Sequence, residues 1–480
     1  MPSRRFPLIL VCLLLWCAVA RADEPVIPPA CPVPTEEPNA HVTYGDFSLD
    51  AQTIRIDIAK NELAADGDVT LAGRDGVFTA DSARYNTTTG AGYLDRVRGC
   101  FEPFRFAAQS MSIDTTRTKQ IQRAHLTTCA LEHPHYELVA KDFVVQGDGR
   151  FRARHTGIAV AGHRLFSIPV IRGKVGGHSA EISKPALTGG VSRLDGTYLA
   201  MNYDYPVDDE SNFSITGRTG TQGIFRGSAA YEQPLRMGKH LDDGTIALHV
   251  TWKEDVENRL IASDKLVDDR LKALTISRLP ALQVAFPTLP LLGSAEGFTL
   301  RLGGGFGRYR EHPTNVTANR AQAWTVIGSP TVPVSGNLRL HGELGLRGAF
   351  YSDQHHSTSV LQLTLESPPE KERYVNVTYL RRREDGTTPF LFDRVLMPDE
   401  LYTEVEFPLT KDSSWWLNLS NRLDLETITS RDFTITAIYK LDCISYGLTY
   451  NRAAESIGVG LVLNTFGSFH KGVGSIGFTQ

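Results

Sequence analysis

After residue 22 no stretch approaches the roughly 18 consecutive apolar residues that a membrane-spanning helix needs, so a helical membrane protein is excluded for the mature chain. Charge of one sign is also scarce. Lys and Arg number 50 against 54 Asp and Glu, a net charge of −4, which gives no electrostatic reason to expect nucleic acid as a partner. Cysteine is sparse, at 6 in 480 residues. Two of these, Cys12 and Cys17, lie in the first 22 residues. The other four, Cys31, Cys100, Cys129 and Cys443, show no C-x-x-C or paired-histidine spacing of a zinc site. Catalytic sets are missing too. GGGFGRY (303–309) has clustered glycines, but no strand-to-helix transition follows as a phosphate-binding loop requires. No Ser/His/Asp order or carboxylate pair can be placed in one pocket, and His133 and His135 read as loop residues. The expectation is a chain with no enzymatic activity, no cofactor and no metal.

The first 22 residues, MPSRRFPLILVCLLLWCAVARA, have two arginines, an apolar core and an Ala20-Arg21-Ala22 end. That is the tripartite pattern of a secretory signal. Cleavage after Ala22 fits better than lipidation at Cys17, because Trp16 stands where a small residue is wanted. Export makes the four remaining cysteines an even set in an oxidising compartment, which predicts two disulfides in one of three connectivities. Residues 23–40 are Pro-rich and acidic and read as an extended tether.

From residue 41 to 175 a weak repeat is visible: AQTIRID from Ala51, ADSARYN from Ala80, AQSMSID from Ala108 and AKDFVVQ from Ala140, at spacings of 29, 28 and 32. Turn signals separate short alternating segments, and no helical periodicity intervenes. This predicts a β-solenoid or β-jelly roll.

From 176 to 480 the alternating segments lengthen. NLRLHGELGLRGAFYS (337–352) sets Leu338, Leu340, Leu344, Leu346 and Phe350 against Arg339, His341, Glu343 and Arg347. TIALHVTWK, LYTEVEFPL and WLNLSNRLDLE repeat the form. Alternation over about ten residues is the length of a tilted strand crossing a bilayer. Nearly every segment has one oily and one charged face, so none is left to supply the inner layer of a sandwich. The segments predict an antiparallel transmembrane β-barrel of about 16 strands. Tyr205, Trp252, Tyr309, Tyr351, Trp415 and Tyr439 fit interfacial girdles, and His355-His356 reads as a solvated turn.

Several stretches resemble the LPS-assembly protein LptD family. They are LTTCALEHPHYELVAKDFVV (126–145) and FRARHTGIAVAGHRLFSIPV (151–170) before the barrel, DGTYLAMNYDYPV and FSITGRTGTQGIFRGSAAYEQPL at its start, and KLDCISYGLTYNRAAESIGVGLVLNTFGSFHKGVGSIGF at its end. The N-terminal repeat resembles the OstA-like jelly roll, although the chain is shorter than typical family members. The resemblance implies an outer-membrane translocon that takes lipopolysaccharide from a periplasmic LptA-like bridge protein and inserts it into the outer leaflet through a lateral gate. An LptE-like plug lipoprotein and outer-membrane lipid are the other implied partners.

It further implies a lipid-binding row of Ile54, Ile56, Val69, Val77, Phe106, Met111, Ile113, Phe143 and Val145. These residues would otherwise pack the jelly-roll core. Pro185 and Pro206, which cannot donate ladder hydrogen bonds, are implied to loosen the pairing of the first strands with the last. Cys129–Cys443 resembles the family's interdomain link and leaves Cys31–Cys100. The rival pairing is Cys31–Cys443 with Cys100–Cys129. A passive porin-like channel with a periplasmic anchoring domain is the alternative function.

Overall fold

The computed structural model describes residues 27–28, 30–33, 40–44, 47–73, 76–101, 104–131, 133–174, 184–193, 195–207, 211–223, 225–237, 244–256, 274–291, 297–312, 314–367, 373–441 and 443–463. The predicted signal segment lies outside these residues. The chain divides into two compact units, residues 1–180 and 181–480.

The first unit is an antiparallel sheet of thirteen strands, from Ala40–Tyr44 to His163–Lys174. A solenoid would stack its strands in parallel, so the antiparallel register removes that expectation. Ala51, Ala80, Ala108 and Ala140, which open the four repeats, are all buried. In Tyr136–Val145 the inward residues are Tyr136, Leu138 and Ala140, then Phe143 and Val145, so the alternation changes phase once within the strand. Aromatic rings fill the interior: Phe101 stacks on Phe106 at 4.9 Å, and Phe143 meets Phe151 at 5.4 Å.

The Pro-rich segment is not a free tether. Ile27 is buried, and Cys31 is joined to Cys100 with their Cα atoms 5.6 Å apart. Proline favours extension, but here one apolar side chain and one covalent bond pin the segment to the sheet. The Cys31–Cys100 bond also removes the rival Cys31–Cys443 pairing.

The second unit is a closed antiparallel barrel. Sixteen strands wall it, and two short pieces, Leu289–Pro290 and Val332–Ser335, extend hairpin ends. Closure is made by Lys184–Ser192 pairing with Ser456–Leu463. With an even strand number the first and last strands open and finish at one end. The connections at 193–195, 351–354, 387–398 and 452–455 then lie at the other end.

Alternation sets the two surfaces. In Leu338–Phe350, Leu344 is 49% exposed on the outside, while Glu343 and Arg347 retain 10% and 14% side-chain exposure on the lumen side. Ile246, Leu248, Val250 and Trp252 face outward in the same way on Gly244–Asp255. An apolar outer band over a polar lumen is the arrangement of an outer-membrane barrel.

Two expected girdle residues are not on that band. Tyr309 is buried among Ala281, Phe390 and Phe392, and Tyr351 donates to Asp393, so both serve the lumen. Trp415 is exposed and rests 4.8 Å from Tyr439. His356 is likewise no turn residue: it is buried on His355–Glu366, 3.2 Å from Glu384.

Two outcomes check this layer. Leu344→Arg should destabilise the barrel by about 2–4 kcal/mol in urea titrations of protein folded into lipid, whereas His341→Arg on the lumen side should change little. Cys31→Ser should cost the first unit about 4 kcal/mol, from loop entropy over a separation of 69 residues, read as a lower denaturant midpoint for proteolytic resistance of that unit.

Candidate functional site: the barrel seam and lumen

The seam joins Lys184–Ser192 to Ser456–Leu463 through six register pairs among the described residues, from Leu187↔Leu461 to Ser192↔Ser456. Gly189, Gly190, Gly458 and Gly460 take four of those twelve positions. Val191, Ile457 and Val459 face outward and are exposed. The inward positions are Thr188, Gly190, Ser192, Ser456, Gly458 and Gly460, so the lumen side of the seam carries only three small hydroxyl side chains.

Glycine is required there by space. A Cβ on Gly190 would lie 2.3 Å from the Ile457 carbonyl oxygen and 2.7 Å from the Gly458 Cα. The room above the glycines is taken by Tyr198, whose hydroxyl would lie 3.0 Å from that same Cβ. Tyr198 is held in turn by Arg218, whose guanidinium stacks 3.7 Å from the ring centroid. Asp195, fully buried, pairs with both Arg218 and Arg226. At the rim the connections on either side of the seam are joined: Arg193 Nη1 donates to Glu455 Oε1 at 2.9 Å.

The two predicted gate prolines sit differently from each other. Pro185 lies on the seam strand itself, opposite Tyr203. Pro206 opposes Asn212, on the neighbour farther from the seam. Its missing N–H therefore affects the second and third strands and not the pairing of the first with the last.

The lumen is lined by paired charges. Glu400, Glu404 and Glu406 all point inward from Asp399–Pro408 and are buried. Glu400 accepts from Arg382 at 2.7 Å, and Lys440 lies 3.2 Å from Glu406. Asn418 donates to Glu404 at 2.8 Å, as does Tyr402 at 3.0 Å. Elsewhere on the wall, Arg301 pairs with Glu343 at 2.8 Å. Buried charges survive only when partnered like this, because leaving one unpaired costs several kcal/mol.

A second group lies where the 387–398 connection folds against the inner wall. Asp393 receives a bidentate pair from Arg320, Nε at 3.0 Å and Nη2 at 2.8 Å, and neither side chain has any solvent exposure. Arg347 approaches the same carboxylate at 3.5 Å, and the Tyr351 hydroxyl donates to it. The Phe392 backbone N–H donates to Glu311 Oε2 at 2.9 Å. Nothing in the sequence pattern singled out this group. Its one local signal is the apolar run Phe390-Leu391-Phe392 inside a connection expected to be polar.

Of the nine predicted lipid-binding residues, Val69, Phe106, Met111, Phe143 and Val145 are fully buried in the core of the first unit. Ile54, Val77 and Ile113 are half-buried, and Ile56 is 59% exposed. The row is therefore split between packed interior and accessible surface, and does not form one continuous accessible strip. Cys129 and Cys443 are both buried, in the first and second unit respectively.

The seam glycines give a contrast to measure. Gly190→Val should weaken barrel closure, seen as unfolding at lower temperature by heat-modifiable gel migration. Gly217→Ala should leave migration unchanged, since a Cβ there meets nothing within 4 Å.

No family model and no curated protein matches the chain. Among solved structures it is similar to a bacterial polysaccharide outer membrane secretin, at 11% identity and a TM-score of 0.34, covering 59% of this chain and 97% of that one. It is also similar to the outer membrane channel DcaP of Acinetobacter baumannii, at 10% identity and a TM-score of 0.28, covering 58% and 96%. A third is an anion-selective porin from Comamonas acidovorans, at 10% identity and a TM-score of 0.26, covering 58% and 96%. At these identities the likeness is one of architecture.

Proposed function

We propose that the chain is a lipopolysaccharide translocon of the outer membrane. In this reading the N-terminal sheet is an OstA-like jelly roll in the periplasm that receives the lipid from an LptA-like bridge protein. The barrel then releases it sideways through the seam, with or without an LptE-like plug lipoprotein. The observation that carries the reading is the seam itself, with glycine at four of twelve paired positions and only Thr188, Ser192 and Ser456 as side chains on its lumen face. Glycine in a strand contributes little packing and loses more entropy on ordering than other residues. Tyr198 covers the inner face of these glycines, so its displacement would open the way for an acyl chain or sugar from lumen to lipid.

The chemistry of the cargo fits two environments. Each buried CH₂ of an acyl chain is worth about 0.8 kcal/mol, so a modest apolar surface on the first unit suffices to hold it. Ile56, exposed, and Ile54, Val77 and Ile113, half-buried, are the members of the row a lipid can reach. The polar headgroup is suited to a lumen lined by carboxylates, guanidinium groups and amides. With Cys31 and Cys100 joined, the family-type Cys129–Cys443 bond remains the second disulfide of this reading. A passive channel is the second reading, favoured by the polar lumen alone.

Photocrosslinking from Ile56 and Ile113 in intact cells separates the two. An energy-dependent lipopolysaccharide adduct at either position is the expected result. Absence at both, with protein and crosslinker present, would replace the translocon with a passive channel. Locking the seam gives an independent check. Val191 and Ile457 are outward-facing register partners, at about 4.5–5.5 Å between Cβ atoms for such a pair. With cysteine at both and a short dithiol-reactive crosslinker, newly made lipopolysaccharide should fail to reach the cell surface while the barrel stays folded.

A further inference from the structure

We infer that the 387–398 connection is a built-in plug of the barrel lumen, latched shut by Asp393. This does not depend on the cargo, and it assigns to the chain itself part of the sealing that a separate plug subunit would supply.

The placement comes first. The connection joins Tyr374–Gly386 to Asp399–Pro408 at the end of the barrel opposite its first and last residues. Its side chains contact strands several positions away around the wall. Phe390 packs with Ala281 and Tyr309, Phe392 with Tyr309, and Asp393 binds Arg320, Arg347 and Tyr351. Leu391 and Phe392 also pack against Leu274. Those partners belong to the inward face. Their outward neighbours on the same strands, Leu282, Phe306, Ile327 and Leu346, are exposed to the lipid side. The connection therefore lies inside the barrel.

The chemistry fits a latch. Three apolar residues, Phe390, Leu391 and Phe392, anchor the turn against the wall. One carboxylate then pairs with two guanidinium groups, Arg320 with no exposure and Arg347 with 14%. Arg320 has no reason to be fully buried on a water-filled wall, nor Arg347 to be largely covered, unless the loop brings Asp393 to them. The 3-10 turn Leu391–Asp393 is itself tied to the wall by the Phe392 N–H on Glu311. Withdrawing the loop would leave two cations and one anion facing the lumen, where water would hydrate them.

Planar-bilayer conductance of the whole purified protein tests the assignment, with barrel folding checked by heat-modifiable migration. The wild type should pass little steady current. Asp393→Ala, and a variant with residues 388–396 replaced by a short glycine-serine link, should each give a stable open conductance well above it. The second variant removes the apolar turn as well as the latch, so it answers the question if Asp393→Ala fails to fold. A wild type that already conducts like an open sixteen-strand pore would overturn the inference. So would folded variants that conduct no more than the wild type. Neither result bears on the lipid adducts at Ile56 and Ile113, so this assignment and the translocon reading stand or fall separately.

Discussion

A strand inside hydrocarbon has no water for its N–H and C=O groups, so every one of them must find a partner on a neighbouring strand. That condition forces the barrel of this protein to close, and closing it fixes everything else. It makes Lys184–Ser192 pair with Ser456–Leu463, although more than 260 residues separate Ser192 from Ser456. It gives each strand one face in lipid and one in the lumen. It also places the seam at the one point where pairing has no hairpin connection to hold it in register.

The lumen then becomes an electrostatic problem. Side chains of Glu400, Glu404, Glu406 and Arg320 are buried there and that of Arg382 is half-buried, and each is matched by an opposite charge or a hydrogen-bond donor. Pairing of this kind adds little net stability over apolar packing, because both ions must first leave water. What it does provide is a defined arrangement. Asp393 fits between Arg320 and Arg347 in a way that a methyl group would not, and this sets where the connection rests.

Much of the architecture was legible because its period is two. Residues 337–352 showed which side chains face lipid, and the exposures of Leu344 and Glu343 agree with that face assignment. His356 was misread as a turn residue, yet it shares parity with the buried Thr358, Gln362 and Thr364, so the signal was present. The lipid-binding row was less legible. An apolar residue that packs a core and one that lines a groove have the same alternation, and nothing local separates buried Phe143 from exposed Ile56. Tyr309 was obscured by the glycines before it, which carry no side chain to mark a face. The Asp393 latch had almost no local trace, because its partners lie 46 and 73 residues away and meet it only once the barrel has closed.

The seam and the 387–398 connection are held by different kinds of interaction. At its rim the seam has one exposed ion pair, Arg193–Glu455, with both side chains about half exposed. Such pairs contribute roughly 0–1 kcal/mol and weaken with salt. Along its length the seam rests on glycine-rich pairing. The Asp393–Arg320 contact is a buried bidentate pair, and truncating one partner of such a pair costs about 3–5 kcal/mol because the other charge stays buried. In the proposed translocon, a seam that parts sideways toward lipid while the 387–398 connection keeps its place on the inner wall would let lateral release proceed without breaching the permeability barrier.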